Sequence, residues 1–301
     1  DCQPPTAQKS HRRANTMAYK HFLVDKPAPF VAHVQLNRPG KINAFFILLT
    51  STQRGNVARI QDRLRQPLLR LRCPSHHTLR RGERGFCAGL DVQHASTDGI
   101  LKQVARVSND TARRYIGIKR HVQEFQDCVS SVEKCEKPVI CIMHGVTFGL
   151  GIDISTCADI RICSSDTKFA VKEVDIGLAA DIGTLSRLPK VVGNFSWVKD
   201  VCLSARIFSG EEALKVGFVS QVLITKADAM AKGLEMANLL AAKSPVAVQG
   251  TKELLNHARD NKLADSLRYT GAWNSGAIQT SDVERAMLSG IKKTKPTFEK
   301  L

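Results

Sequence analysis

Residues Lys137–Asn194 read KPVICIMHGVTFGLGIDISTCADIRICSSDTKFAVKEVDIGLAADIGTLSRLPKVVGN. The segment opens on Val139–Met143, a continuous apolar run of strand length, the pattern of a strand buried on both faces. His144–Gly151 is punctuated by Gly145, Gly149 and Gly151 and reads as a turn, with a helix opening over Ile152–Cys157. Ile160–Cys163 and Lys168–Val171 read as short strands. Strands alternating with helices place the chain in the α/β class.

Working outward, residues 110–134 carry Tyr115, Ile118, Val122, Phe125 and Val129 at helical spacing. Before them, Phe86–Asp91 (FCAGLD) is a small-residue turn. Residues 28–36 alternate as a strand does, and Asn37-Arg38-Pro39-Gly40 ends them in a turn. From about residue 226 the pattern becomes helical, with Pro245 near the start of a second helix and Trp273 and Met287 in later ones. Residues 17–225 form the expected core, 226–301 a helical region, and 1–16 a basic extension excluded from the fold. That extension lacks the apolar segment of a secretory signal.

Residues 45–84 break the pattern. Between Arg54 and Arg84 stand nine arginines, no lysine and two acids, a net +7 of the chain's +16. Pro67, Pro74 and His76-His77 interrupt any periodicity. The stretch reads as partly mistranslated sequence, with a basic binding arm as the other reading. The net charge, with a pI near 9.6, suits either a basic surface or a polyanionic partner such as a nucleotide cofactor, nucleic acid or anionic lipid. Nine cysteines without CxxC pairing read as reduced, mostly buried thiols, and no Cys/His spacing suggests zinc. No apolar run reaches the roughly 20 residues of a membrane span.

Three features carry chemistry. A glycine-rich turn running into a helix presents backbone N–H groups without intrahelical acceptors. The turn Phe86–Asp91 offers a second set, and two such donors on one carbonyl oxygen would stabilise an enolate. Asp153, Glu173 and Asp181 sit among Ile, Val, Leu and Ala, where desolvation raises a carboxyl's proton affinity into the range useful for proton transfer. Each also has a plain structural reading; Asp153, for example, falls in the first turn of its helix, where a negative charge is favourable. Asp159 and Asp175 read as structural or surface acids.

The segment quoted above, followed by ARIFSGEEALKVGFVSQVL (205–223) and preceded by LNRPGKINA (36–44), resembles the enoyl-CoA hydratase/isomerase (crotonase) family. The resemblance covers about 28–44 and 85–300. It implies a spiral of ββα units with a helical C-terminal trimerisation region, homotrimers or homohexamers, and an acyl-CoA thioester substrate with no further cofactor and no metal. It places the two oxyanion N–H groups on Leu90 and Leu150, the latter where many members have glycine. Arg38, Lys41 and Ala88 fall on the coenzyme A contacts, with Lys292, Lys293 and Lys295 as weaker candidates. Hydratases of the family carry glutamates where this chain has Asp153 and Glu173, and glycine where it has Asp181. The set Asp153, Glu173 and Asp181 resembles the dienoyl-CoA isomerases, which implies isomerisation of 3,5-dienoyl-CoA to 2,4-dienoyl-CoA in fatty-acid β-oxidation. A hydratase, a monoene isomerase and a crotonase-fold RNA-binding protein are the alternatives. The terminal Glu-Lys-Leu is a near match to a peroxisomal address and the N-terminus is basic, so mitochondrion and peroxisome are both expected.

Overall fold

A computed structural model describes residues 17–19, 22–43, 75–80, 84–299 and 301. Its strands are β1 Met17–Tyr19, β2 Phe22–Ala28, β3 Val31–Leu36, β4 Ser75–Arg80, β5 Gly85–Cys87, β6 Val139–Met143, β7 Val146–Phe148, β8 Ile160–Ser164, β9 Lys168–Ala170, β10 Phe208–Ser209 and β11 Gln221–Leu223. The helices are α1 Val92–Asp98, α2 Ile100–Val107, α3 Thr111–Glu133, α4 Leu150–Thr156, α5 Thr184–Val191, α6 Phe195–Ser204 and α7 Gly210–Lys215. They continue with α8 Lys226–Ala241, α9 Pro245–Asp260, α10 Leu263–Ala277 and α11 Ser281–Ile291.

Two sheets share the strands. The larger runs β1-β2-β3-β4-β6-β8-β11 and the smaller β10-β9-β7-β5. From β4 to β9 successive strands alternate between the sheets, and a helical segment returns the chain after each pair. α3 links β5 to β6, and α4 links β7 to β8. The result is a spiral of ββα turns, as expected from the quoted segment. All five residues of β6 are buried, because its neighbours β4 and β8 pair on both edges and both faces are covered.

Two apolar layers hold the spiral. Between the sheets and helices, Phe169 stacks on Phe208 at 5.2 Å and meets Phe218 edge-on at 5.5 Å, while Trp197 meets Phe208 at 5.0 Å. On the outer face of the larger sheet, α8 presents Ala229, Gly233, Ala237 and Ala241, four residues apart along one ridge. This small-residue ridge lets the helix lie directly on Ile140, Ile142 and Ile162.

The structure corrects one expectation. Ser75–Arg80 lies within the stretch where periodicity is lost, yet it forms β4, paired in parallel with β3 on one edge and β6 on the other. A strand held by backbone ladders on both edges needs no alternating pattern of its own. Residues 45–74 and 81–83, most of the rest of the stretch 45–84 read as partly mistranslated or as a basic arm, and residues 1–16, read as an extension, lie outside the described residues. Among the described residues no helix is long and apolar enough to cross a membrane.

Among the ion pairs that tie the helical region to the spiral, the one with the most buried cation is Lys252–Asp159. Lys252 of α9 donates to Asp159 Oδ2 at 2.8 Å and to the Lys137 carbonyl at 3.1 Å, while Val139 N–H donates to the same Asp159 oxygen at 2.7 Å. Removing one member leaves the other desolvated without its partner. Lys252→Met is expected to lower unfolding free energy by about 2–4 kcal/mol in urea titration, less than for a sealed pair because Asp159 keeps some exposure.

Candidate active site

The site forms where β5 and β7 end. Gly89 (φ 86°) and Gly149 (φ 50°) occupy left-handed backbone conformations that favour glycine. The two loops approach so closely that a Cβ on Gly149 would stand 3.6 Å from Gly89 Cα and 2.9 Å from Glu173 Oε1. Leu90 follows the first glycine and is partly exposed. Leu150 follows the second, is buried, and is the first residue of α4, so its N–H has no acceptor within the helix. The two N–H groups expected from the sequence thus stand on adjoining loops beside the Glu173 carboxyl.

The first loop is clamped from outside. Ala88 N–H donates to the Ile42 carbonyl at 3.1 Å. The Asn43 side chain accepts from Arg38 N–H at 2.8 Å and donates to the Phe86 carbonyl at 3.4 Å. Arg38 donates to buried Asp91 at 2.9 Å, and Lys41 donates to Gln93 at 2.6 Å. Of the residues the resemblance assigned to coenzyme A, Arg38 and Ala88 therefore also brace the loop. Lys41 is exposed on the same rim.

The three carboxylates come together. Asp153, on α4, is 2% exposed. Its Oδ1 accepts both the N–H and the Oγ–H of Thr184, each at 2.7 Å. Asp153 lies in the first turn of α4, as read from the sequence, and its side chain also receives the opening residue of α5. Burial pushes its pKa up to about 6, against the lowering effect of the Thr184 donors; Asp181 raises it further and Arg187 lowers it.

Glu173 begins a single 3-10 turn, Glu173–Ile176. Its Oε2 is buried and, among the described residues, has no hydrogen-bond partner. Burial, and then the charge of Asp153, raise its pKa to about 7. Asp181 is half-buried, and burial raises its pKa too. Its carbonyl accepts from Gln126 Nε2 of α3 at 2.6 Å. Asp181 also lines a cavity of about 320 Å³ with Ser130, Ser186, Arg187 and Lys190.

Behind this group, Glu133 accepts from Arg187 at 3.0 and 3.1 Å and from Arg259 at 2.6 Å. Asp159 is structural and Asp175 pairs with Lys172 at the surface, as read from the sequence. Thr184, Gln126 and Arg187 were not singled out. Only the tertiary fold brings α3 and α5 against α4, and no local pattern marks them. Among the described residues no group of three His, Cys, Asp or Glu side chains could hold a metal.

Residues 78–300 match the enoyl-CoA hydratase/isomerase family model, and the chain is a member of that family. The mitochondrial Δ(3,5)-Δ(2,4)-dienoyl-CoA isomerase of Homo sapiens is 36% identical over 290 residues, 94% of this chain and 84% of that protein. The peroxisomal Δ(3,5)-Δ(2,4)-dienoyl-CoA isomerase of Arabidopsis thaliana is 34% identical over 280 residues, 90% and 93% of the two chains. In fold the chain is similar to the crystal structure of an enoyl-CoA hydratase from Bacillus anthracis, with a TM-score of 0.78 at 22% identity, covering 93% and 99% of the two chains.

The raised proton affinity of Glu173 has a stability consequence. Folding favours its neutral form. That contribution is fully present below about pH 4.5 and is lost as pH rises through about 7. Glu173→Gln, neutral at every pH, should therefore gain stability relative to the parent across that window. The gain should reach about 2 kcal/mol above pH 7 after discounting for partial exposure. Asp153 acts with the same sign between about 3.8 and 6. Thermal unfolding of parent and variant at pH 4, 6 and 8 measures this; a gap that narrows as pH rises contradicts the burial of a carboxylate at 173.

Proposed function

We propose that the protein isomerises 3,5-dienoyl-CoA to 2,4-dienoyl-CoA in fatty-acid β-oxidation, with Glu173 and Asp181 as the proton-transferring pair. The observation that carries this is the convergence of two raised-affinity carboxyls, Glu173 and Asp181, beside two adjoining backbone loops. Its relatives in animals and in Arabidopsis bear the name of that reaction.

The thioester carbonyl oxygen accepts from Leu90 N–H and Leu150 N–H. Ionised Glu173 removes a proton from C2. The electron pair moves into C2=C3 through an extended dienolate, whose charge rests on the carbonyl oxygen between the two donors. One such donor lowers the barrier by about 3–4 kcal/mol. Protonated Asp181 delivers a proton to C6, leaving double bonds at C2 and C4. The proton count is unchanged, and the pair resets by exchange with solvent. Asp153 holds charge next to Glu173. No cofactor beyond the coenzyme A of the substrate takes part.

Arg38, Lys41 and Ala88 lie on the rim where the nucleotide end of the substrate would approach, with Lys41 the most accessible. The helical region α8–α11 is the candidate surface for a homotrimer or homohexamer. A mitochondrial or peroxisomal site follows the names of the relatives.

Asp181→Asn keeps the shape and removes the acid. It should lower kcat about 10²- to 10⁴-fold, read from the ultraviolet absorbance of the conjugated 2,4-dienoyl product. Undiminished turnover by the folded variant rules out Asp181 as the acid. Hydration of a 2-enoyl-CoA with no dienoyl isomerisation by the parent protein replaces the isomerase reading with a hydratase one.

A further inference from the structure

The charge of Asp153 raises the proton affinity of Glu173, yet the hydrogen bonding of the two carboxyls is unequal. One oxygen of Asp153 takes two donors from a single residue, Thr184, which is fully buried. Glu173 Oε2 is buried with no partner among the described residues. A hydrogen bond donated to a carboxylate stabilises its charged form. Where two acids share a site, the one with the donors ionises first, and its charge holds the proton on the other.

We propose that Thr184 is a positioning residue that sets the order in which Asp153 and Glu173 ionise: its paired donors fix the first negative charge on Asp153, and that charge makes Glu173 a stronger base. The inference rests on the reading of Glu173 as the base.

Of the other groups around the pair, the backbone N–H groups of Lys172 and Glu173 lower the proton affinity of Glu173 but leave its Oε2 without a partner among the described residues, and Arg187 acts in the same sense as Thr184 through its charge rather than a hydrogen bond to the carboxylate. Asp181 raises the proton affinity of both carboxyls. Arg187 of α5 favours the Asp153 anion, but its guanidinium is hydrogen-bonded to Glu133 and Ser130. Cys157, just past the end of α4, donates to the Asp153 carbonyl rather than to the carboxylate. Cys202 of α6 faces Glu173 as a buried thiol whose pKa burial pushes up to about 11, so it is neutral there. Thr184 is the residue that donates to one carboxylate of the pair and not the other.

Thr184→Val removes the hydroxyl and keeps the size and the backbone N–H. Asp153 then keeps its proton longer, and Glu173 ionises beside a neutral neighbour. The acid limb of the kcat/KM profile should move to lower pH, by up to about one pH unit, raising relative activity at pH 6 several-fold while the plateau falls. A residue that merely supports the fold would lower the plateau and leave the limb in place. Thr184→Ser restores the donor and should restore the limb.

Asp153→Asn provides an independent measurement should the valine variant not fold. With no charge at 153, the limb should move in the same direction. A limb that stays, or moves to higher pH, in whichever of these variants is folded overturns the inference. Glu173→Gln separates the two readings. If it retains turnover, the base assignment fails and takes the inference with it. If it is inactive while the Thr184→Val limb is unmoved, the ordering role alone fails.

Discussion

The site depends on there being no side chain at position 149. The turn from β7 into α4 passes between Gly89 on one side and the Glu173 carboxyl on the other, and a methyl group there would displace one of them. This close approach sets several things at once. It brings the two backbone loops together and directs the first N–H groups of α4 into the space between them. It also seats Glu173 over that space. Asp153 follows one helical turn later, where α4 is already buried. The left-handed conformation of Gly149 therefore underlies both the meeting of the two loops and the seat of the Glu173 carboxyl.

Gathering three acids in such a place opposes folding. Each loses hydration, and each charge disfavours the next. The structure offsets this unevenly. Asp153 receives two donors, and Arg187 stands near it with its own charge shared by Glu133. Glu173 draws on the backbone N–H groups of Lys172 and of its own residue, and its Oε2 has no partner among the described residues. Asp181 keeps contact with the polar cavity, and Gln126 holds its backbone rather than its carboxyl. A site built for stability would satisfy all three alike. Leaving Glu173 Oε2 without a donor among the described residues costs folding energy and raises the proton affinity of the carboxyl, a common exchange at functional positions.

Much of this was legible in the chain. The apolar run Val139–Met143, the glycines at 145, 149 and 151, and the acids at 153, 173 and 181 carry their own signals, because buried strands, left-handed turns and desolvated carboxylates each need particular residue types. The partners of those acids were not legible. Thr184 and Gln126 are ordinary polar residues whose roles arise from helix packing over separations of 31 and 55 residues. Nor was β4, since His76 and His77 read as an interruption, and backbone ladders from both neighbours hold the strand. Arg38 shows a third kind: the resemblance marks it for coenzyme A, but nothing local shows that its guanidinium also holds Asp91, 53 residues away.

The substitution of aspartate for glutamate at 153 bears on which reaction the site supports. The hydratases of this family are expected to carry glutamates at both positions that here hold Asp153 and Glu173. An aspartate is one methylene shorter. Here it is 2% exposed, with Oδ1 held by Thr184. Drawn back in this way, Asp153 contributes charge more readily than it contacts a water. Asp181 adds a carboxyl from another direction, and its raised proton affinity suits a donor. On the proposed assignment, withdrawing one acid and adding another suits the site to passing a proton between the ends of a conjugated system. The exchange needs no change of fold, which is how a fold shared with hydratases at 22% identity accommodates an isomerase.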